Sequence, residues 1–166
     1  ASVTPNRPEW NFLDIAVNQI GAIHVSIYPT YNEQDLAHVL EHSDSQMVFC
    51  GNKLLANSVG KIIQQLPLLQ SVFTFDGTPG FRHFGEIENG GKTAGDREQL
   101  LKCQNAVAEN DIAALYYTSG TSGNKPMGAM LTHVNLAGCG ISMTGYYDLE
   151  PGDKVLSFLP TCHAYE

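Results

Sequence analysis

Apolar positions in this chain recur with two different periods, and the switches between them mark out its elements. In "PEWNFLDIAVNQIG", Trp10, Leu13, Val17 and Ile20 stand three or four residues apart, the spacing of one helix face. Pro8 and Glu9 suit the start of that helix and Gly21 its end. "AIHVSI" is then a nearly continuous apolar run, as expected for a strand covered on both faces. "YNEQDLAHVLEHSD" returns to the helical period, with Asn32 as cap and Asp35 three residues on. "QMVFC" reads as a short strand, "KLLANSVGKIIQQLP" as a helix stopped before Pro67, and "QSVFTF" as a strand followed by the turn "DGTPG".

Helix and strand therefore alternate with short connections. That pattern predicts an α/β fold, a largely parallel sheet flanked by helices. "HFGEIENGGKTAGDRE" reads as a polar, glycine-rich surface stretch, and a short helix is expected near Asp96 to Gln104. "DIAALYY" is another buried strand. A polar loop and the apolar run "GAMLT" follow, then a helix from about His133 to Tyr147 and a last strand in "KVLSFLP".

Composition narrows the function classes. The chain has 166 residues, 43% of them hydrophobic, enough for a core. The charged fraction is 16%, against about 25% in a typical domain. That shortfall suggests surface normally covered by something else. The net charge of −8 argues against nucleic acid as a partner, so a bound anion must find local donors. No apolar run approaches the ~20 residues of a membrane span, and no basic amphipathic stretch suggests a membrane surface, although peripheral contact stays open. "ASVTPNRPEW" does not read as a signal peptide. Cys50, Cys103, Cys139 and Cys162 are widely spaced without a C-x-x-C pair, which suggests reduced thiols and a cytoplasmic protein.

Three stretches carry candidate chemistry. The polar loop leaves a buried strand, and strand ends in α/β sheets are where ligands bind. It holds Thr118, Ser119, Gly120, Thr121, Ser122 and Gly123, then Lys125. Glycines let a backbone approach an anion and aim successive N–H groups at it, hydroxyls add donors, and lysine adds a compact charge. A solvated hairpin loop would share this composition. "GEIENGGKT" is like a Walker phosphate loop, but the spacing requires glycine where Glu86 stands, so a surface turn is expected. "HVLEH" has the H-x-x-E-H spacing of some zinc peptidases. On a helix whose apolar stripe is Leu36, Val39 and Leu40, however, His38, Glu41 and His42 fall on the opposite face. A polar, solvent-facing stripe is expected there, and no metal site.

"YTSGTSGNKPMGAMLTHVNL" resembles the signature phosphate loop of the adenylate-forming superfamily, which includes acyl-CoA synthetases, luciferases and the adenylation domains of peptide synthetases. Tyr117, Thr118, Ser119, Gly120, Thr121, Gly123, Gly128, Met130, Leu131 and His133 match its pattern. "NRPEW…GAIHVSIYPT", "LAHVLEHSDSQMVFC" and "FLPTCHAYE" resemble further segments in the same order, especially those of the long-chain fatty acid branch. One departure stands out. The family has Pro-Lys directly before glycine, whereas here Lys125, Pro126 and Met127 precede Gly128, one residue longer.

The resemblance implies a partial N-terminal, AMP-binding domain over residues 1–166, with the C-terminal domain and the remainder of a parent chain missing. It implies ATP-dependent activation of a fatty acid to acyl-AMP, then transfer to coenzyme A, with Mg²⁺ sharing the phosphate charge. The isolated fragment is expected to be inactive. His163 matches the family histidine near the acyl carboxylate, and Thr118 to Gly123 with Lys125 match the phosphate-binding loop. The other reading is a non-catalytic α/β module that reuses the loop to bind a nucleotide or partner.

Overall fold

The computed structural model describes residues 1–118 and 125–163. Seven strands form one sheet: β1 (Ser2–Val3), β2 (His24–Ile27), β3 (Met47–Cys50), β4 (Ser71–Thr74), β5 (Arg82–His83), β6 (Ile112–Thr118) and β7 (Met127–Thr132). Their spatial order is β5-β4-β3-β1-β2-β6-β7. Every neighbouring pair is parallel except β6–β7, which is antiparallel. The helices are α1 (Pro8–Gln19), α2 (Glu33–His42), α3 (Lys53–Ile62), α4 (Gly85–Ala94), α5 (Arg97–Ala106) and α6 (His133–Tyr147).

Local sequence accounts for most of these boundaries. Asn32 caps α2 by accepting from the N–H groups of Gln34 and Asp35, and Asn52 caps α3 through Leu55 N–H. α1 ends at Gly21, whose φ of +71° lets Gly21 N–H and Ala22 N–H bond back to Asn18 and Val17 carbonyls. Thr132 and Asn135 form a reciprocal capping box at the start of α6.

Side-chain alternation along the strands separates two cores. Val3, Val25, Ile27, Val48, Cys50 and Tyr117 share one cluster with Leu36, Val39 and Leu40 of α2 and Ala56, Val59 and Ile62 of α3. Phe49, Phe73 and Phe75 form the other with Leu13 of α1. Phe49 and Phe73 stack with centroids 5.2 Å apart, and the Arg82 guanidinium covers the Phe73 ring at 4.5 Å.

The second face also buries several polar groups that pair with one another. Trp10 Nε1–H donates to Ser26 Oγ at 3.0 Å. His24 sits between Asp14, with Nδ1 2.7 Å from Oδ1, and Ser2, with Nε2 2.9 Å from Oγ. The consistent arrangement is a neutral ring that donates from Nδ1 and accepts the Ser2 hydroxyl at Nε2. The order Ser–His–Asp is that of a hydrolase relay, but Ser2 is 1% exposed and hydrogen-bonded between two strands, closed to any substrate.

Three sequence expectations are corrected, and one strand went unforeseen. The stretch expected as a glycine-rich surface turn is a helix, α4, led by the two-residue strand β5. It buries no residue and is held by local bonds, including Arg82 to Glu86 at 2.9 Å. β1 was not foreseen, because two residues carry no periodicity; pairing on both edges makes it a strand. The strand expected in "KVLSFLP" is absent: residues 154–160 pair with no strand among the described residues, and Val155, Leu156 and Phe158 are exposed. An apolar run becomes a strand only where an edge accepts it. The solvent-facing stripe of α2 is likewise revised below.

His24 makes stability depend on pH. Burial holds its basicity below the usual value, outweighing the opposing pull of Asp14. As pH falls, the unfolded chain takes up the proton first. The contribution is therefore complete above about pH 6.5 and is lost below it, by at most ~1.4 kcal/mol per pH unit. Urea midpoints at about pH 7.5 and about pH 5.5 should show this loss, and His24→Gln should remove most of it. An unchanged pH dependence in His24→Gln would assign the loss to other groups.

Candidate phosphate-binding site at the strand ends

The parallel strands direct their carboxyl ends to one edge of the sheet. The connection leaving β1 carries the chain to β2 on one side, whereas that leaving β2 carries it to β3 on the other. Such a divergence opens a crevice beyond the strand ends. Two parts of the chain distant in sequence meet this edge, the stems of the β6–β7 hairpin (117–118 and 125–127) and residues 159–163.

The first is the β6–β7 hairpin. Its pairing runs from Ile112↔Thr132 to Thr118↔Met127, so the polar loop joins the strands at the carboxyl end of β6. Thr118 is exposed as the last residue of β6. Ser119, Gly120, Thr121, Ser122 and Gly123 lie outside the described residues. Lys125 is exposed, and Pro126 beside it is buried.

The stems of the loop are held from inside the protein. Tyr117 is 1% exposed, with its ring among the apolar residues of α2 and α3. Burial pushes its phenol up, which keeps it a neutral hydroxyl. That hydroxyl lies 2.8 Å from His42 Nδ1, and the Tyr117 carbonyl accepts from Tyr31 Oη–H at 3.2 Å. On the returning stem, His38 Nε2–H donates to the Pro126 carbonyl at 3.0 Å. The two histidines therefore do not form a purely solvent-facing stripe. The helical projection identified their side of α2 correctly, but not the hairpin that stands opposite. Among the described residues no group of three His, Cys, Asp or Glu converges as a metal site would require.

The second segment is anchored by Asn6 in the turn after β1. Asn6 Nδ2–H donates to the Leu159 carbonyl at 2.6 Å, and Asn6 Oδ1 accepts from Thr161 N–H at 3.0 Å. Cys162 is buried, and burial pushes its thiol up to about 11. His163 is exposed in this turn, its N–H donating to the Pro160 carbonyl at 2.8 Å. The structure thus brings the Thr118 stem and the His163 turn to one sheet edge from positions 45 residues apart. Sequence reading missed Asn6 and Tyr31, since a lone asparagine or tyrosine in a turn carries no pattern.

Arg7 ties this edge together. Its guanidinium donates to Glu9 at 2.9 Å, to the Gly51 carbonyl at 2.8 Å and to Asp76 at 3.1 Å, and lies over the Phe75 ring. The turns after β1, β3 and β4 are thereby cross-linked. The Arg7 hydrogen bond holds the Glu9 carboxyl down at about 2. A separate groove of about 540 Å³ lies between α1, α5 and the start of α6, lined by Asp14, Asn18, Gln104 and His133. It is on the helical flank, and none of the described residues expected in the site lines it.

A mostly parallel α/β sheet with a crevice beyond its strand ends is an architecture in which many proteins bind nucleotides. The AMP-binding enzyme family model matches residues 1–166, and the chain belongs to that family. It is 31% identical over 159 residues to a long-chain-fatty-acid–CoA ligase of Mycobacterium bovis, covering 95% of this chain and 26% of that protein. It is 32% identical over 174 residues to fatty acyl-CoA synthetase A of Dictyostelium discoideum, covering 97% and 25%. The chain thus spans about a quarter of the length of these relatives. Its fold matches a crystal structure described as a putative long-chain-fatty-acid CoA ligase of Rhodopseudomonas palustris, with a TM-score of 0.76 at 20% identity over 98% of this chain and 38% of that one. ATP-bound MatB of the same organism matches at 0.71 and 21% identity, over 99% and 30%.

Gly128 tests the packing of the stem. A Cβ there would stand 3.0 Å from Tyr117 Cζ and 3.3 Å from its hydroxyl. Gly128→Ala should therefore cost about 1–3 kcal/mol of stability in urea unfolding. In a Tyr117→Leu background most of that cost should vanish, because the atoms in conflict are gone. Additive losses would show that Gly128 is required for some other reason.

Proposed function

We propose that this chain is part of the N-terminal, AMP-binding domain of a long-chain fatty acid–CoA ligase. The observation that carries the reading is the convergence at one sheet edge of two segments that match the family, the stem of the phosphate loop and the His163 turn. The names of the relatives support the substrate class. The exposed apolar surface of α6, including Ile141, Tyr146 and Tyr147, supports a domain that extends beyond these residues.

The reaction follows from the chemistry of the substrates. A carboxylate is a poor acylating agent. Attack of its oxygen on the α-phosphorus of ATP forms the acyl–adenylate bond and expels pyrophosphate. The thiol of coenzyme A then attacks the acyl carbon and releases AMP, leaving a thioester. The protein's task is to hold the reacting oxygens in line and to stabilise developing charge. Thr118, Ser119, Thr121 and Ser122 supply hydroxyl donors, the amides of Gly120 and Gly123 supply N–H groups, and Lys125 supplies the local positive charge in a chain of net charge −8. His163 is assigned to the acyl carboxylate.

No described residues form a protein cage for Mg²⁺. The ion would arrive on the triphosphate and neutralise part of its charge. Coenzyme A is the acceptor in most of the relatives' names, although one Arabidopsis thaliana relative, 29% identical over 176 residues, is named an acyl-carrier-protein ligase. Both acceptors present a thiol to the same adenylate. No described helix is long and apolar enough to cross a membrane. Four free cysteines support a reducing compartment, and we assign the cytoplasm.

The test is pyrophosphate exchange into ATP by the full-length polypeptide carrying this sequence, in the presence of a long-chain fatty acid. Exchange that requires the fatty acid is expected. Its absence would favour a non-catalytic nucleotide- or partner-binding module. Thr121→Ala should slow adenylate formation about tenfold or more, through loss of a donor to departing pyrophosphate, and leave thioester formation from preformed acyl-adenylate within about twofold. Equal losses in both half-reactions would make Thr121 a structural residue.

A further inference from the structure

The two α2 histidines do not stand on an idle surface: each meets a stem of the β6–β7 hairpin. The geometry points to His38 and His42 as positioning residues for phosphate binding, one holding each stem of the 119–124 loop; this rests on the phosphate-loop reading above.

His42 meets the outgoing stem at Tyr117, the residue before Thr118. His38 meets the returning stem at Pro126, the residue after Lys125. The partners lie 75 and 88 residues from their histidines in sequence, so neither contact is a local accident of helix geometry. Both histidines stand on one face of α2, with ring centroids 5.5 Å apart. α2 is itself fixed by Leu36, Val39 and Leu40, none more than 2% exposed. A rigid helix therefore sets the separation of the two stems.

The hairpin alone would do this less well. Among the described residues the outermost rung of the ladder is Thr118↔Met127, and the outer rungs of a hairpin open most readily. The Pro126 carbonyl lies just outside β7, and His38 gives it a partner. The bonds also survive a change of charge. Nε2–H of His38 donates to a carbonyl in both the neutral and the protonated ring, and the Tyr117 hydroxyl can donate to or accept from His42 Nδ1. Stem separation matters because a displacement of about 1 Å between reacting groups can cost ~100-fold in rate.

The experiment uses the full-length polypeptide carrying His38→Leu, His38→Gln, His42→Leu or His42→Asn. Glutamine and asparagine put an amide nitrogen close to where Nε2 and Nδ1 stand, whereas leucine fills the space without a donor. The readouts are KM for ATP, KM for fatty acid and Tm. Each leucine variant should raise KM for ATP about fivefold, the loss of roughly one net hydrogen bond, and leave KM for fatty acid within about twofold. His38→Gln and His42→Asn should return KM for ATP to within about twofold of the native value. A lowered Tm with unchanged KM for ATP would reduce the histidines to packing and overturn the proposal. So would amide variants that are folded yet no better than leucine, a comparison that the amide variants settle against native protein even where a leucine variant does not fold. If the native polypeptide itself shows no fatty-acid-dependent exchange, the phosphate-loop reading fails first and this proposal falls with it. Native exchange with unaffected leucine variants sinks this proposal alone.

Discussion

The seat of Tyr117 in the core is the interaction on which the strand-end site depends. Its ring is packed among side chains from β1, β2, β3, α2 and α3. Its backbone belongs to β6, paired antiparallel to β7, with Leu115 and Tyr116 alongside β2 on the other edge. Its hydroxyl and carbonyl bond to His42 and Tyr31. A residue buried this completely cannot shift without opening the cluster, which would forfeit several kcal/mol of apolar burial, about 1.5–3 per large side chain. The next residue, Thr118, is exposed. The transition from rigid core to ligand edge therefore occurs within one peptide unit. The close approach of Gly128 to the same ring extends that rigidity to β7.

Under the proposed function, this arrangement shows how an acidic chain would serve an anionic ligand. With a net charge of −8, no long-range field draws a triphosphate in. Recognition falls to donors gathered at one place, and donors are effective only when their positions are fixed beforehand. The sheet fixes one end of the loop, α2 holds both stems, and Arg7 binds the neighbouring turns to each other. Acidic groups nearby are occupied, as Glu9 is by Arg7, which limits their repulsion of a phosphate.

What was legible in the sequence was what local rules control. The helical period of Trp10, Leu13 and Val17, and the caps Asn32 and Gly21, identified α1 and α2 because each rule acts within a few residues. The unbroken apolar runs identified β2 and β6. Illegible features depended on partners. β1 is a strand only because β2 and β3 flank it, and "KVLSFLP" is not one because nothing pairs with it. α4 forms despite Gly90 and Gly91, so a composition typical of turns concealed a helix. That helix also settles the Walker-like run: Gly91, Lys92 and Thr93 lie in its last turns, whereas a phosphate requires the free N–H groups of a first turn. His38 and His42 had a readable face and an unreadable neighbour, because the hairpin that meets them comes from a distant part of the chain.

The central claim is that these residues serve the attack of a carboxylate on the α-phosphorus of ATP. It is tested most directly by following oxygen. The full-length polypeptide is given a long-chain fatty acid labelled with ¹⁸O in its carboxylate, together with ATP and coenzyme A, and the nucleotide product is analysed by mass spectrometry. Attack at the α-phosphorus followed by thiolysis must leave a single carboxylate oxygen in AMP. The account predicts AMP carrying one ¹⁸O. Label appearing instead in inorganic phosphate, with ADP as the nucleotide product, would mean activation at the γ-phosphorus and would contradict it.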